Sequence, residues 1–220
     1  MIALLFSLIY ANPTYNLPNA AVLSSEMSIY AGSGMAALRA GPLPSIRLGG
    51  TWQKDAWMLH ANSTLYIGQS NERFDNVSFR YLLVQNPSFR LAPTVMLSHH
   101  EGATELDRRT TGRLGLAMDA GKGKWKWDLS INVVGMGYRM HRQDPVYMLS
   151  TFDTLVAFES GFRYEFSEQH FFRFALLGPM PTLRYGIPFG KGNYRIDITG
   201  ATLGTQNLLQ FDVVRILGQK

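Results

Sequence analysis

Four consecutive residues, Ser98-His99-His100-Glu101, combine side chains that can do chemistry. Ser98 and His100 are two positions apart, so in a β-strand they share a face. A serine beside a histidine could hydrolyse lipid if an acid oriented the histidine. The adjacent His99 and His100 could instead bind a metal ion. We favour a third interpretation, a polar segment at a strand end, so the sequence predicts neither an enzyme nor a cofactor.

A larger set of charged residues alternates with apolar ones and is predicted to lie on a single face of a sheet. Its members are Arg90, Arg113, Lys126, Asp128, Glu159, Arg163, Glu165, Arg173, Arg184, Arg195 and Asp197. Opposite charges on neighbouring strands can pair across a ladder. Two hypotheses follow: a static salt-bridge network that fills an enclosed space, or a basic constriction that selects anionic solutes.

Several other classes of function are excluded or disfavoured. The formal net charge is +5 without a block of Lys or Arg, which disfavours nucleic-acid binding. The sequence has no cysteine, so disulfides and thiolate metal sites are excluded. The stretch GSGMAA, residues 32–37, resembles half of a dinucleotide fingerprint but lacks the βαβ context that such a site requires.

The elements that must position these residues are strands. In WKWDLSINVVG, residues 125–135, apolar and polar residues alternate, which gives a ribbon with one apolar and one polar face. The same period of two recurs after residue 27 and predicts about twelve strands, including one near 27–38 and one near 112–120. The mean hydropathy of −0.06 is compatible with this alternation.

Two kinds of connection alternate between these strands. Clusters of Gly, Pro, Asn, Asp and Ser predict tight turns at 54–55, 86–88, 121–124, 167–169 and 190–192. Longer polar connections are predicted at 69–76, 99–110 and 140–151, with shorter ones near 178–181 and 203–207. This is the pattern of an up-and-down meander whose tight turns all lie at one end.

Aromatic residues of the apolar face gather at the tight-turn end. They are Trp52, Trp57, Phe89, Trp125, Trp127, Tyr164, Phe166, Phe172, Phe189 and Tyr194. A membrane–water interface selects such a ring of amphipathic aromatics, whereas a soluble core would hold its largest rings near mid-strand. We therefore predict an all-β fold, an antiparallel up-and-down transmembrane β-barrel of about twelve strands with its apolar face on lipid.

The N-terminal region divides into two predicted segments ahead of the barrel. Residues 1–11, MIALLFSLIYA, are typical of the apolar part of a secretory signal peptide. Residues 12–26 are predicted to plug the lumen or to lie free in the periplasm. The barrel itself is predicted to span 27–220.

With this alternation and these turns, residues 27–217 resemble the small outer-membrane β-barrel proteins of Gram-negative bacteria. The resemblance implies an outer-membrane location, contact with outer-membrane lipid and the assembly machinery, and tight turns on the periplasmic side. The leading functional hypothesis is a narrow porin-like channel for small, preferentially anionic solutes. The alternatives are a closed structural or interaction barrel with a salt-bridged lumen, and a lipid hydrolase at the rim with Ser98 and His100.

Overall fold

The computed structural model describes residues 27–38, 41–68, 72–101, 108–140, 148–149, 156–167, 169–177, 180–203 and 206–217. The first seven strands are β1 (Met27–Leu38), β2 (Gly41–Lys54), β3 (Trp57–Tyr66), β4 (Glu72–Tyr81), β5 (Val84–Asn86), β6 (Phe89–Glu101) and β7 (Arg108–Lys122). The others are β8 (Trp125–Met140), β9 (Met148–Leu149), β10 (Val156–Glu165), β11 (Phe171–Leu177), β12 (Met180–Phe189), β13 (Tyr194–Leu203) and β14 (Gln206–Leu217). The predicted segments 1–11 and 12–26 lie outside the described residues.

Twelve of these strands close into a barrel. Neighbours pair antiparallel in chain order, β14 pairs with β1, and β8 pairs with β10 to complete the circuit. The short strands β5 and β9 are additions that pair with β6 and β8 respectively. The predicted fold class, an antiparallel up-and-down barrel of about twelve strands, is confirmed.

The register gives the barrel a steep stagger. Residues that are paired across successive strands form a row around the barrel, here called a ladder row. The ladder row that starts at Trp125 on β8 passes through Tyr164 on β10 and continues around the barrel. It returns to β8 at Met140, fifteen residues further along the strand (140 minus 125). Stagger and tilt are linked in closed sheets, so the strands are strongly inclined to the barrel axis.

The burial pattern is opposite to that of a soluble barrel. Outward side chains on strands from all around the barrel are apolar and exposed, as in Leu48 (60%), Leu114 (63%) and Phe162 (59%). Inward side chains are largely polar, and among them Arg80 is 1% exposed and Asp197 0%. A sheet with an apolar outer face and a polar inner face matches a barrel whose outer surface contacts lipid.

The tight turns lie where the sequence predicts them. Asp55 and Gly123 adopt positive φ angles of 53° and 65° in the β2–β3 and β7–β8 turns, a conformation that these residue types tolerate. Asn86 Oδ1 accepts hydrogen bonds from the backbone N–H groups of Ser88 (3.0 Å) and Phe89 (2.7 Å), which fixes the β5–β6 turn. The chain ends of β1 and β14 lie at this same end of the barrel.

The predicted connections over 69–76 and 99–110 are too long. β4 begins at Glu72, β6 continues to Glu101 and β7 begins at Arg108, so most of these polar residues extend the ladder. Backbone hydrogen bonding does not depend on side-chain polarity, and a strand can therefore continue past the apolar band. No helix in the described ranges is long and apolar enough to cross a membrane.

Candidate functional site: the charged lumen

The interior face holds the eleven charged residues predicted to share a face. Arg113, Asp128, Glu159, Arg173, Arg195 and Asp197 are buried, and Arg90, Lys126, Arg163, Glu165 and Arg184 are partly buried. They come from seven different strands, so the barrel brings together residues that are up to about a hundred positions apart in the sequence.

Arg173 on β11 is shared by two carboxylates from neighbouring strands. Its Nε donates to Asp128 Oδ2 at 3.0 Å, and its Nη2 contacts Asp128 Oδ1. The same Nη2 lies 2.7 Å from Glu159 Oε1 on β10. The planar guanidinium suits this arrangement, because it presents several donors in a fixed geometry.

Asp197 on β13 shows the reverse arrangement, one carboxylate between two arginines. Arg184 Nη2 on β12 donates to Asp197 Oδ2 at 2.7 Å, and Arg195 Nε donates to Oδ1 at 2.7 Å. We call this set of paired charges on β8 and β10–β13 the ion-pair network; it comprises Asp128, Glu159, Arg173, Arg184, Arg195 and Asp197. A buried charge is tolerated when it is paired and hydrogen-bonded in this way.

Two glycines leave space for ion pairs to cross the sheet. A Cβ at Gly161 would lie 2.9 Å from Arg173 Nη2, so glycine lets this guanidinium pass over β10. Gly32 lies between Asp212 and Arg47 in a ladder row, and a Cβ there would lie 2.0 Å from Asp212 Oδ1. Arg47 Nη1 and Asp212 Oδ2 are 3.3 Å apart across this gap. The first glycine of GSGMAA thus has a structural role.

Further pairs lie close to the network. Arg90 Nε donates to Asp119 Oδ1 at 2.8 Å, and Arg163 pairs with Glu165 on its own strand. Among the described residues, the lumen ion pairs thereby join six arginines to six carboxylates. The arginines are Arg47, Arg90, Arg163, Arg173, Arg184 and Arg195, and the carboxylates are those of Asp119, Asp128, Glu159, Glu165, Asp197 and Asp212.

One aromatic ring faces three of these arginines. Phe171 is buried on the inner face, with its ring centroid 5.8 Å from Arg163 Cζ, 5.7 Å from Arg184 Cζ and 5.3 Å from Arg195 Cζ. A Cβ on the opposite residue Gly186 would lie 2.5 Å from the ring, so glycine is required for this close approach. The ring fills space between the guanidinium groups and attracts them electrostatically.

A second part of the lumen, on β3, β4, β6 and β7, holds buried polar side chains that have atoms without a hydrogen-bond partner. Seven side chains form this set, here called the polar wall: Asn62, Asn76, Ser78, Arg80, Thr94, Ser98 and Arg113. Each has at least one side-chain nitrogen or oxygen without a hydrogen-bond partner, and together they supply ten of the fifteen such atoms in the described residues. Most buried polar groups in folded proteins are hydrogen-bonded, so this concentration indicates a surface that meets water or a polar ligand.

The register places the polar wall in three adjacent ladder rows. Asn62, Asn76 and Ser98 form one row. Ser78 and Arg113 lie in the next, separated by Met96, and Arg80 is paired with Thr94 in the third. The Nε and Nη1 atoms of both Arg80 and Arg113 have no acceptor.

An apolar cluster separates the polar wall from the tight-turn end. This apolar floor consists of Met58, Leu82, Ala92 and Ala117. Leu82 follows β4 and turns inward, with its backbone N–H donating to Ala56 O at 2.8 Å. The polar wall therefore lies on the side of this cluster away from the tight turns.

The ten predicted interface aromatics all lie on or beside the outward face at the tight-turn end. Trp57 contacts Tyr81 with a ring-centroid separation of 4.3 Å, and Trp125 contacts Tyr164 at 4.8 Å. Phe189 stacks on Tyr194 at 5.4 Å. Their role at a membrane interface stays a prediction.

The candidate residues Ser98, His99 and His100 are consecutive in β6. The alternative of a metal site on His99 and His100 stays a prediction. His99 Nδ1 lies 2.9 Å from Thr110 Oγ1. Ser98 belongs to the polar wall and its Oγ has no partner, while the side chain of His100 lies outside the described part of the structure. No cluster of three metal-ligating side chains occurs in the described residues.

Five lumen charges in the described strands are absent from the predicted set, namely Arg47, Glu72, Arg80, Asp119 and Asp212. All five occupy inward positions of strands whose alternation is clear in the sequence. The two-residue alternation along each strand is enough to predict that these side chains face inward.

No family model matches the sequence, and no curated protein matches it. Among solved structures, the KdgM porin in complex with a disordered oligogalacturonate aligns with a TM-score of 0.62 and 13% identity, covering 86% of this chain and 98% of that one. Outer membrane phospholipase A from Escherichia coli aligns with a TM-score of 0.54 and 9% identity, covering 86% and 92%. The chain has the fold of the outer-membrane β-barrels. Since one neighbour is a porin and another a phospholipase, this fold does not by itself select a function.

Proposed function

We propose that this protein is an outer-membrane channel for small anionic solutes. The observation that carries the proposal is the surplus of arginine in the lumen. Six arginines are matched by six carboxylates, and Arg80 and Arg113 add two guanidinium groups whose Nε and Nη1 atoms have no acceptor. Rings of basic side chains favour the passage of anions.

The membrane placement follows from the two faces of the sheet. The exposed apolar outer face contacts outer-membrane lipid, and the aromatic residues near the tight turns lie at one interface. The tight turns and the chain ends of β1 and β14 then lie on the periplasmic side, with insertion by the outer-membrane assembly machinery. The proposal assigns no enzymatic activity.

The channel is narrow because its tight-turn half is lined by paired side chains. Asp128 and Arg173 are 1% and 5% exposed, so ion pairs and their ladder neighbours occupy much of the cross-section. Arg184 and Arg90 keep 26% and 19% of their side-chain surface accessible. A passage along these residues fits small solutes only.

A closed barrel with a structural or interaction role is the second candidate. It is favoured by the same burial, since a fully packed lumen also buries Asp197 and Asp128 between arginines. The two functions differ in one observable, which is whether ions cross the barrel.

Single-channel recording of the refolded protein in a planar bilayer tests the proposal. We expect small, discrete conductance steps with the folded protein and none with a heat-unfolded sample. Folding is checked first by the change in gel mobility on boiling. A folded, inserted protein that passes no current would support the closed barrel instead.

A further inference from the structure

The polar wall has the dimensions of a small-molecule site. Neighbouring strands are about 4.8 Å apart, and successive inward positions of a strand are about 6.7 Å apart. Three ladder rows on β3, β4, β6 and β7 therefore present their side chains over an area of about 15 by 13 Å. The apolar floor borders this area toward the tight turns.

The side chains of the wall define the chemistry of a ligand. Arg80 and Arg113 supply guanidinium donors, which match carboxylates. Asn62, which has no partner at either end of its amide, lies among the hydroxyl groups of Ser78 and Ser98. Amide and hydroxyl side chains both donate and accept hydrogen bonds. They can therefore pair with the hydroxyl groups of a ligand, which also do both.

Arg80 is the deepest of these groups and is not neutralised by the ion-pair network. It is attracted electrostatically by Glu159 and Asp128. Both of those carboxylates are already bound by Arg173, and Arg80 keeps two nitrogens without acceptors. The seven residues of the wall include no acidic side chain, so a cation is not a fitting occupant.

We infer that the polar wall binds a small hydroxycarboxylate, with its carboxylate between Arg80 and Arg113 and its hydroxyl groups on the neighbouring amides and hydroxyls. The inference deepens the proposed channel function, on which it rests, by naming the chemical class of the solute. It places binding on β3, β4, β6 and β7, beside the ion-pair network rather than within it.

Calorimetric titration of the refolded, full-length protein in detergent tests this with three probes. D-Gluconate carries both a carboxylate and hydroxyl groups, acetate only the carboxylate, and sorbitol only the hydroxyls. We expect gluconate to bind at least about tenfold more tightly than either of the others, because only gluconate engages both kinds of group. Equal affinities for acetate and gluconate, or no binding of gluconate, would overturn the inference.

Variants locate the site. Arg113→Gln and Arg80→Gln are each expected to weaken gluconate binding by about tenfold or more, since each removes a charged hydrogen-bond donor. Thr94→Val keeps the shape of the side chain and should weaken gluconate but not acetate. Lys126→Gln is the matched control, because Lys126 is a lumen cation on β8, outside the polar wall. If Arg80→Gln does not fold, gluconate titration of Arg113→Gln alone tests the location of the site.

Loss of gluconate binding in Lys126→Gln but not in Arg113→Gln would overturn the placement of the site. The result is separable from the channel function. A protein that binds gluconate through Arg113 but passes no current keeps the site and excludes the channel, whereas one that conducts without binding gluconate keeps the channel and excludes the site.

Discussion

The ion-pair network and the polar wall line the same lumen but satisfy their polar groups in different ways. Both consist of inward side chains on tilted strands, and both are buried. In the network, Arg173 and Asp197 each have two partners of opposite charge. In the wall, Arg80 and Arg113 have none at their Nε and Nη1 atoms.

This difference indicates a division of labour within one barrel. A paired, buried charge is difficult to remove because its partner would be left uncompensated, so the network fixes the arrangement of β8 and β10–β13. A polar group without a partner costs stability, and it persists where water or a ligand supplies the missing hydrogen bond. The network is therefore expected to hold the lumen in shape, and we propose that the wall is the part that binds solutes.

The largest expected effect is on the network. Asp197→Asn leaves Arg184 and Arg195 without their shared carboxylate, and breaking such a buried pair costs about 3–5 kcal/mol of the free energy of unfolding. Urea unfolding in lipid vesicles, followed by tryptophan fluorescence, measures the loss. Asp197→Glu keeps the charge and is the control. A loss below about 1 kcal/mol, the value for exposed pairs, would mean that water screens the network.

The next effect tests whether both parts really face a lumen. Phe211→Arg places a charge on the outward face near the middle of β14, where lipid contact makes it cost about 2–4 kcal/mol. The adjacent Gln210→Arg points inward beside Asp212, whose carboxylate oxygens both lie 3.1 Å from Gln210 Nε2. It should cost much less. Equal losses in the same unfolding assay would mean that the two faces are inverted.

A smaller effect is expected on the polar wall. Arg113→Gln breaks no ion pair, so the free energy of unfolding should change by less than about 1 kcal/mol in either direction. Arg173→Gln is the matched variant in the network and should lose about 3–5 kcal/mol. If the two substitutions lower the free energy of unfolding equally, the ion pairs of the network do not stabilise the barrel more than the side chains of the wall do.

The smallest effect concerns Ser98. Its Oγ makes no hydrogen bond, so Ser98→Ala should change the unfolding free energy by no more than about 0.5 kcal/mol. Neither the native protein nor the variant should release fatty acid from phospholipid vesicles. Hydrolysis by the native protein that disappears in Ser98→Ala would favour the rim hydrolase.

The strands, their faces and the tight turns could be predicted from the sequence because each rests on local chemistry. Alternation places Asp128 and Arg173 on the inner face, and Gly123 marks a turn that needs positive φ. The predicted ends of the longer connections were wrong near Glu72 and Arg108, since polar residues can extend a ladder.

The partners inside the lumen could not be predicted. Which carboxylate meets Arg173 depends on the register of β8, β10 and β11 and on the fifteen-residue stagger of the closed sheet, neither of which a single sequence encodes locally. For the same reason the sequence does not separate Arg80, whose Nε and Nη1 atoms have no acceptor, from Arg184, whose Nη2 donates to Asp197.

The reversal potential across a planar bilayer with a tenfold KCl gradient tests the central claim most directly. A lumen with two surplus arginines predicts that chloride crosses more readily than potassium, so the potential should have the sign of an anion-selective channel. The Arg80→Gln, Arg113→Gln double variant should move it toward zero. A folded protein that prefers potassium, or whose preference for chloride survives both substitutions unchanged, would contradict the account.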